Sequence, residues 1–141
     1  MPYQMMYSSQ ASEPLGVTGL EEILADARAG NEARNVTGAL MVVDGVFLQI
    51  LEGDRDVVRG LMANIGRDTR HHSVKVFYEA EVEARTFEYW RMAYISATAE
   101  EMSTWTGFPG TATVQTLLAD LDGSPNRVPD FLVGILRVLT A

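Results

Sequence analysis

Gly45-Val46-Phe47-Leu48-Gln49-Ile50-Leu51-Glu52-Gly53 is an apolar run bounded by glycines, with one amide in its middle. Without Gln49 it would read as an ordinary buried strand, rich in branched and aromatic residues. The Gln49 side chain carries two N–H donors and a carbonyl acceptor, and burying them without partners is costly. Something must meet that amide. A backbone carbonyl at a strand edge would do so, and so would a ligand in a pocket. The run itself leaves both open.

Working outward, Asp44-Gly45 is a two-residue hairpin signal that joins this strand to an apolar stretch from Val36 to Val43. Further upstream, Met5-Met6-Tyr7-Ser8-Ser9 reads as a first strand and residues 13–16 as a loop. Thr18 and Glu21 have the spacing of a capping box, Leu20, Ile23, Leu24 and Ala27 form one stripe, and Gly30 is placed to stop that helix. Downstream, Asp54 can cap a second helix whose apolar face is Val57, Val58, Leu61, Met62 and Ile65. Val74 to Tyr78 reads as a fourth strand and Met92 to Ile95 as a fifth. The order β-α-β-β-α-β predicts an α+β, ferredoxin-like sheet with two helices on one face and an extra strand. Its first and third strands are central neighbours, which places Tyr7 beside Gln49.

Residues 98–141 differ in character. Thr98 and Glu101 form a second capping box, a break falls at Gly110 to Thr113, and two apolar stripes follow, Leu117, Leu118 and Leu121, then Val128 to Leu139. These C-terminal helices are expected to pack on the free sheet face or to form an interface. The expected division is 1–97 for the sheet domain and 98–141 for a helical extension of the same structural unit.

Bulk composition narrows the function. A chain of 141 residues with 47% hydrophobic content suits one domain. Cysteine is absent, which removes disulfides, thiolate metal sites and thiol nucleophiles. The two histidines, His71 and His72, are sequence neighbours, a poor arrangement for one metal, so no metal site is expected. A formal charge of −8 argues against nucleic acid. No leader-like segment or run of ~20 apolar residues occurs, so the expectation is a cytoplasmic protein without a membrane span.

Several of these segments together resemble a BLUF domain, the flavin-using blue-light sensor module of bacteria and algae. They are Tyr7-Ser8-Ser9, Asn31, Thr37-Gly38-Ala39-Leu40, Phe47 to Gly53, Asp68-Thr69-Arg70-His71 and Phe87-Glu88-Tyr89-Trp90-Arg91-Met92. The likeness covers roughly residues 3 to 97, and its specificity lies in the spacing of Tyr7, Asn31, Gln49 and Trp90. It implies a flavin ring between the two helices, flanked by Ile23 and Ile65, with Asn31 and Arg70 on the pyrimidine edge. It further implies His71 against the ring system and Asp68 orienting Arg70 or a ribityl hydroxyl. Many relatives carry a basic or ring-bearing residue before Asn31, where this chain has Ala29-Gly30, so phosphate contacts fall to Arg28 or Arg34. FAD is the cofactor implied, with FMN and riboflavin as the other candidates.

The mechanism implied uses Gln49 as a bridge between Tyr7 and the flavin. Excited flavin oxidises Tyr7, the proton follows through Gln49, and recombination leaves the amide rotated or tautomerised and the flavin absorption shifted slightly to the red. Ser9, Trp90 and Met92 are the implied relay, Ser9 competing for Gln49 or Trp90. Trp90 and Met92 are expected on one face of the fifth strand. Lacking a recognisable effector after residue 97, the chain is expected to be a non-enzymatic sensor acting in trans. Its expected partners are another copy, in a dimer or larger oligomer, or an effector such as a cyclic-di-GMP phosphodiesterase or response-regulator-like protein. The rival readings are a light-insensitive ferredoxin-like adaptor, a flavin redox protein, and an acylphosphatase-type hydrolase. The redox reading lacks a nucleotide fingerprint, and the hydrolase reading lacks a phosphate cradle at residues 15–18.

Overall fold

A computed structural model describes residues 1–12, 17–107 and 113–140. Its elements run β1 (Tyr3–Ala11), α1 (Val17–Arg34), β2 (Thr37–Val43), β3 (Val46–Gly53), α2 (Arg55–Gly66), β4 (His71–Glu81), β5 (Ala93–Ala97), α3 (Ala99–Thr106), α4 (Val114–Gly123) and α5 (Val128–Thr140). The sheet order is β4-β1-β3-β2-β5, antiparallel except for the β2–β5 pair. This is the expected ferredoxin-like sheet with β5 added at one edge.

The hairpin between β2 and β3 turns on Asp44 and Gly45, both at positive φ (49° and 82°), as a tight two-residue turn requires. β3 is buried along its whole length. Alternate residues of a strand face opposite ways, and here both faces are covered. Leu24 of α1 with Val58 and Met62 of α2 closes one face over Tyr7, Leu40 and Leu51. On the other, Met102, Leu117, Leu121, Phe131, Leu132 and Ile135 of the C-terminal helices close over Met6, Met41, Leu48 and Ile50. The helices after residue 97 therefore pack on the free sheet face. Double coverage explains why β3 reads as a continuous apolar run rather than an alternating one.

Local signals worked unevenly. Asp54 caps α2, accepting from the amides of Asp56 and Val57, and Thr98 with Glu101 forms the capping box of α3, which Gly107 ends at φ 75°. The end of α1 is a correction: the helix runs through Gly30 to Arg34, and Asn35, at φ 55°, takes the left-handed position that ends it. A mid-helix glycine costs about 1 kcal/mol relative to alanine, but Asn31 offsets this by accepting the Val36 amide on its backbone carbonyl. Asn31 thus lies in the last turns of α1, not past its end. The capping box at Thr18, the loop at residues 13–16 and the break at Gly110 involve atoms outside the described residues. β4 extends from His71 to Glu81, beyond the apolar segment Val74 to Tyr78, because its partner β1 provides the ladder.

Candidate functional site

β1 and β3 pair in a register that sets Tyr7 directly opposite Gln49. Both side chains emerge on the face covered by α1 and α2, where a groove encloses about 210 Å³. The Tyr7 hydroxyl donates to Gln49 Oε1. The other end of the amide, Nε2, donates to Met92 Sδ at 3.3 Å. A thioether is a weak acceptor, so this second bond is the one a stronger acceptor can displace. Tyr7 is 4% exposed, and burial, with a smaller contribution from the Asp68 carboxylate, pushes its pKa well above the usual phenol value. The phenol therefore keeps its proton unless an electron leaves with it.

The walls are apolar and come from both helices and the sheet: Ile23 and Ala27 from α1, Leu61 and Ile65 from α2, Leu40 and Phe47 from the sheet. Polar groups sit at the floor and ends. His71 is held at both ring nitrogens, by Ser9 Oγ at 2.7 Å and the Ile65 carbonyl at 2.7 Å. The carbonyl can only accept, so Nε2 carries the proton and, in the neutral ring, Ser9 donates to Nδ1. That fixes the ring edge-on to Tyr7, with centroids 6.2 Å apart, and beside Phe47. Asn31, buried at the end of α1, donates from Nδ2 to the Arg91 carbonyl at 2.6 Å. Arg70 lies at the mouth. It pairs with Asp68 at 2.6 Å and reaches across to Asp26 of α1 at 3.1 Å. The hydrogen bonds from Arg70 hold the Asp68 carboxyl below the ordinary carboxylate range.

A groove with apolar walls and a few hydrogen-bonding groups at its floor and ends is the form of site that small-molecule and cofactor rings occupy. The family model "Sensors of blue-light using FAD" (BLUF) matches residues 3–93. The chain belongs to the BLUF family. Among curated proteins it is 32% identical over 139 residues to the photoactivated adenylate cyclase subunit beta of Euglena gracilis, covering 97% of this chain. It spans only 15% of that relative's length. Among solved structures, the ground state of BlsA is similar at TM-score 0.78 and 27% identity, over 94% of this chain and 89% of that one. The dark-state structure of BlrB, at TM-score 0.77 and 24% identity over 97% and 96% of the two chains, shares the fold.

In this BLUF domain the residues named from sequence fall into two groups. Tyr7, Ile23, Asn31, Gln49, Ile65, Asp68, Arg70 and His71 all line the one groove. Of the relay residues, Met92 meets Gln49, whereas Ser9 and Trp90 have other neighbours. Ser9 pairs with His71, not with Gln49 or Trp90, because its side chain follows Tyr7 on the groove face. Trp90 and Met92 precede β5 in an irregular connector, where strand alternation does not apply. Met92 packs in the groove-side core and Trp90 against the opposite one. Arg28 donates to the Met92 carbonyl at 3.1 Å, and an Arg34 nitrogen lies 2.7 Å from where a Cβ on Gly30 would be.

Sequence reasoning missed Asp26, an acid on an exposed helix face with nothing to mark it. It also missed any role for Glu52, and there a signal existed. A carboxylate in a buried strand demands partners more strongly than an amide does. Among the described residues no cluster of metal-ligating side chains occurs, and no helix is long and apolar enough to cross a membrane.

Proposed function

We propose that the chain is a blue-light photoreceptor that holds flavin non-covalently in this groove and uses Tyr7 and Gln49 as its photochemical pair. The observation that carries the reading is the Tyr7–Gln49–Met92 chain at the groove floor, strong at one end and weak at the other. Ile23 and Ile65 would flank the ring, Asn31 and Arg70 would meet its polar edge, and His71 would back it. FAD, FMN and riboflavin share that ring and differ in the tail. A groove of about 210 Å³ is below the ~300–1,000 Å³ of sites that enclose whole ligands, so the tail belongs at the mouth. FAD is our assignment, with Arg28 and Arg34 as the nearby cations on α1.

Bound flavin supplies the chromophore and, on blue-light excitation, an oxidant that takes one electron and gives it back. Tyr7 is the donor. Its proton already lies on a hydrogen bond to Gln49 Oε1, and that bond is its exit. The Gln49 amide has unlike ends, so receiving and returning the proton leaves it free to turn or tautomerise, releasing Met92. Return of the electron and proton restores Tyr7, and what persists is a different hydrogen-bond pattern. The signal is the changed relative stability of two conformers, read by a partner. We assign the sheet (residues 1–97) to sensing and the helices (residues 98–141) to contact with another copy or with a trans-acting effector. A cyclic-di-GMP phosphodiesterase or a response-regulator-like protein is an effector of the kind expected. In this reading the chain itself carries out no enzymatic turnover.

Absorption spectra of the flavin-loaded protein in darkness and under blue light test this. A small red shift that reverts in darkness is expected. A flavin spectrum that bleaches or does not change would refute it.

A further inference from the structure

Glu52 is completely buried near the end of β3, on the sheet face opposite the groove, and among the described residues no cation pairs with it. Four donors converge on its carboxylate, two on each oxygen. Oε1 accepts from Thr37 Oγ1 at 3.3 Å and the Phe87 amide at 2.8 Å. Oε2 accepts from Gln4 Nε2 at 2.8 Å and the Thr86 amide at 2.7 Å. Arg85 stands one bond removed, donating to Thr37 Oγ1 at 3.1 Å. A carboxylate can accept from all four, and a buried charge is tolerable only when its lone pairs are met in this way.

Two of the four donors are backbone amides of the connector between β4 and β5, and that connector leads to the groove. The Trp90 amide donates to the Phe87 carbonyl, and the Trp90 carbonyl accepts from Gly38 at the start of β2. The chain then passes to the other face. There the Arg91 carbonyl accepts from Asn31, the Met92 carbonyl accepts from Arg28, and Met92 Sδ accepts from Gln49. Glu52 anchors one end of a short, irregular segment whose other end is the weak partner of the photochemical amide.

We propose that Glu52 is a positioning residue for the Gln49 site: by clamping the amides of Thr86 and Phe87 it sets where Met92 Sδ meets the Gln49 amide. The inference rests on the role given to Gln49 above. Glu52→Gln keeps the shape but turns an amide NH2 toward donors, and Thr37→Val removes a single donor. Each lets the connector shift, so the resting orientation of Gln49 loses its Met92 partner and the return from the light state slows. The expected slowing is about twofold for Glu52→Gln, the effect of one weak hydrogen bond lost, and smaller in the same direction for Thr37→Val.

The test measures dark recovery of the red-shifted absorption in flavin-loaded protein, for each variant alone and in a Met92→Ala background. If Glu52 acts through Met92, Glu52→Gln has no further effect once Met92 is gone. A general structural role would slow recovery equally in both backgrounds, and that result would overturn the proposal. So would wild-type recovery in both folded variants, and Thr37→Val decides alone should Glu52→Gln fail to fold. A second readout needs no light: the NMR signal of the Met92 methyl group in the dark, assigned by its loss in Met92→Ala. It should move or broaden in the variants, and an unchanged signal would refute the positioning role. Were the wild type not to photocycle, the photoreceptor reading would fail by itself while this signal still decided the role of Glu52.

Discussion

Replacing Tyr7 and Gln49 separately and together measures the bond on which the proposed photochemistry depends. In Tyr7→Phe, Gln49 Oε1 loses its donor, but Gln49 borders the groove and water can reach it, so the expected cost is about 1 kcal/mol. In Gln49→Leu the Tyr7 hydroxyl keeps its burial and loses its acceptor, which costs about 2 kcal/mol, partly offset by the apolar leucine against Met92. In the double variant nothing polar is left unpaired, and replacing both partners by apolar groups is close to neutral. A coupling of about 2–3 kcal/mol, close to the sum of the two single losses, is therefore expected between the two sites. Urea unfolding of the flavin-free protein, followed by circular dichroism, reads this without ligand linkage. With m of about 2 kcal/mol per molar, the single variants should lose roughly 0.5–1 M in midpoint and the double variant less than the worse single. Additive losses would show that the two side chains do not share a bond. In the flavin-loaded protein both single variants should keep the cofactor and form no red-shifted product, and a product that survived in Tyr7→Phe would remove Tyr7 from the mechanism.

Alkaline stability should depend on Tyr7. Its pKa is raised in the folded state from an ordinary value near 10.0, so above that pH the unfolded chain loses its proton first and the stability that Tyr7 confers falls, by about 1.4 kcal/mol per pH unit. Unfolding midpoints between pH 10 and 12 should fall more steeply in wild type than in Tyr7→Phe, and parallel curves would contradict the burial argument. Gly38→Ala should be severely destabilising, because its Cβ would lie 1.9 Å from the Ile50 carbonyl oxygen inside the sheet. A loss of roughly 3 kcal/mol and about 10 °C in Tm is expected by thermal denaturation, and a soluble variant with wild-type Tm would refute the close approach. Asp54→Ala should cost about 1 kcal/mol through the α2 cap, detectable by chemical denaturation, and no change in midpoint would mean that the cap contributes nothing.

How far the sequence could be read depended on whether a residue's partner was fixed by local periodicity. The Asp44-Gly45 turn fixes the register of β2 on β3, and the strand order makes β1 the other neighbour of β3, where their own register sets Tyr7 opposite Gln49. Asp54 and Thr98 cap their helices through contacts two or three residues away. Gly30 misled because propensity is weaker than the tertiary anchorage of Asn31 on Arg91 and Val36. Trp90 and Met92 misled because alternation was applied to a segment that is not a strand, and the connector sends them into different cores. Ser9 shares its face with Tyr7, but its partner His71 comes from β4, where a register shift between Ser8 and Gln10 intervenes. The demand that made Gln49 conspicuous applied with more force to Glu52, and only its partners required three-dimensional knowledge.

The two cores are separated by a single sheet, and a change at Gln49 has two physical routes across it. One is through the strand itself. Leu48 and Ile50, the residues on either side of Gln49, are completely buried in the opposite core, and Gln49 lies between Tyr7 of β1 and Leu40 of β2 in unbroken ladders. Displacing that backbone would strain hydrogen bonds on both sides and disturb close-packed side chains, a response that packed interiors resist. The other route is through side chains. Gln49 can exchange a weak bond to Met92 without moving its own backbone, and Met92 belongs to a connector without regular structure, tied on the far face by Glu52 and packed there through Phe87 and Trp90. The second route costs less at each step. On energetic grounds, then, the proposed switch would act on the connector more readily than on the sheet, and it would reach the helices beyond β5 through the core that Phe87 and Trp90 share with them.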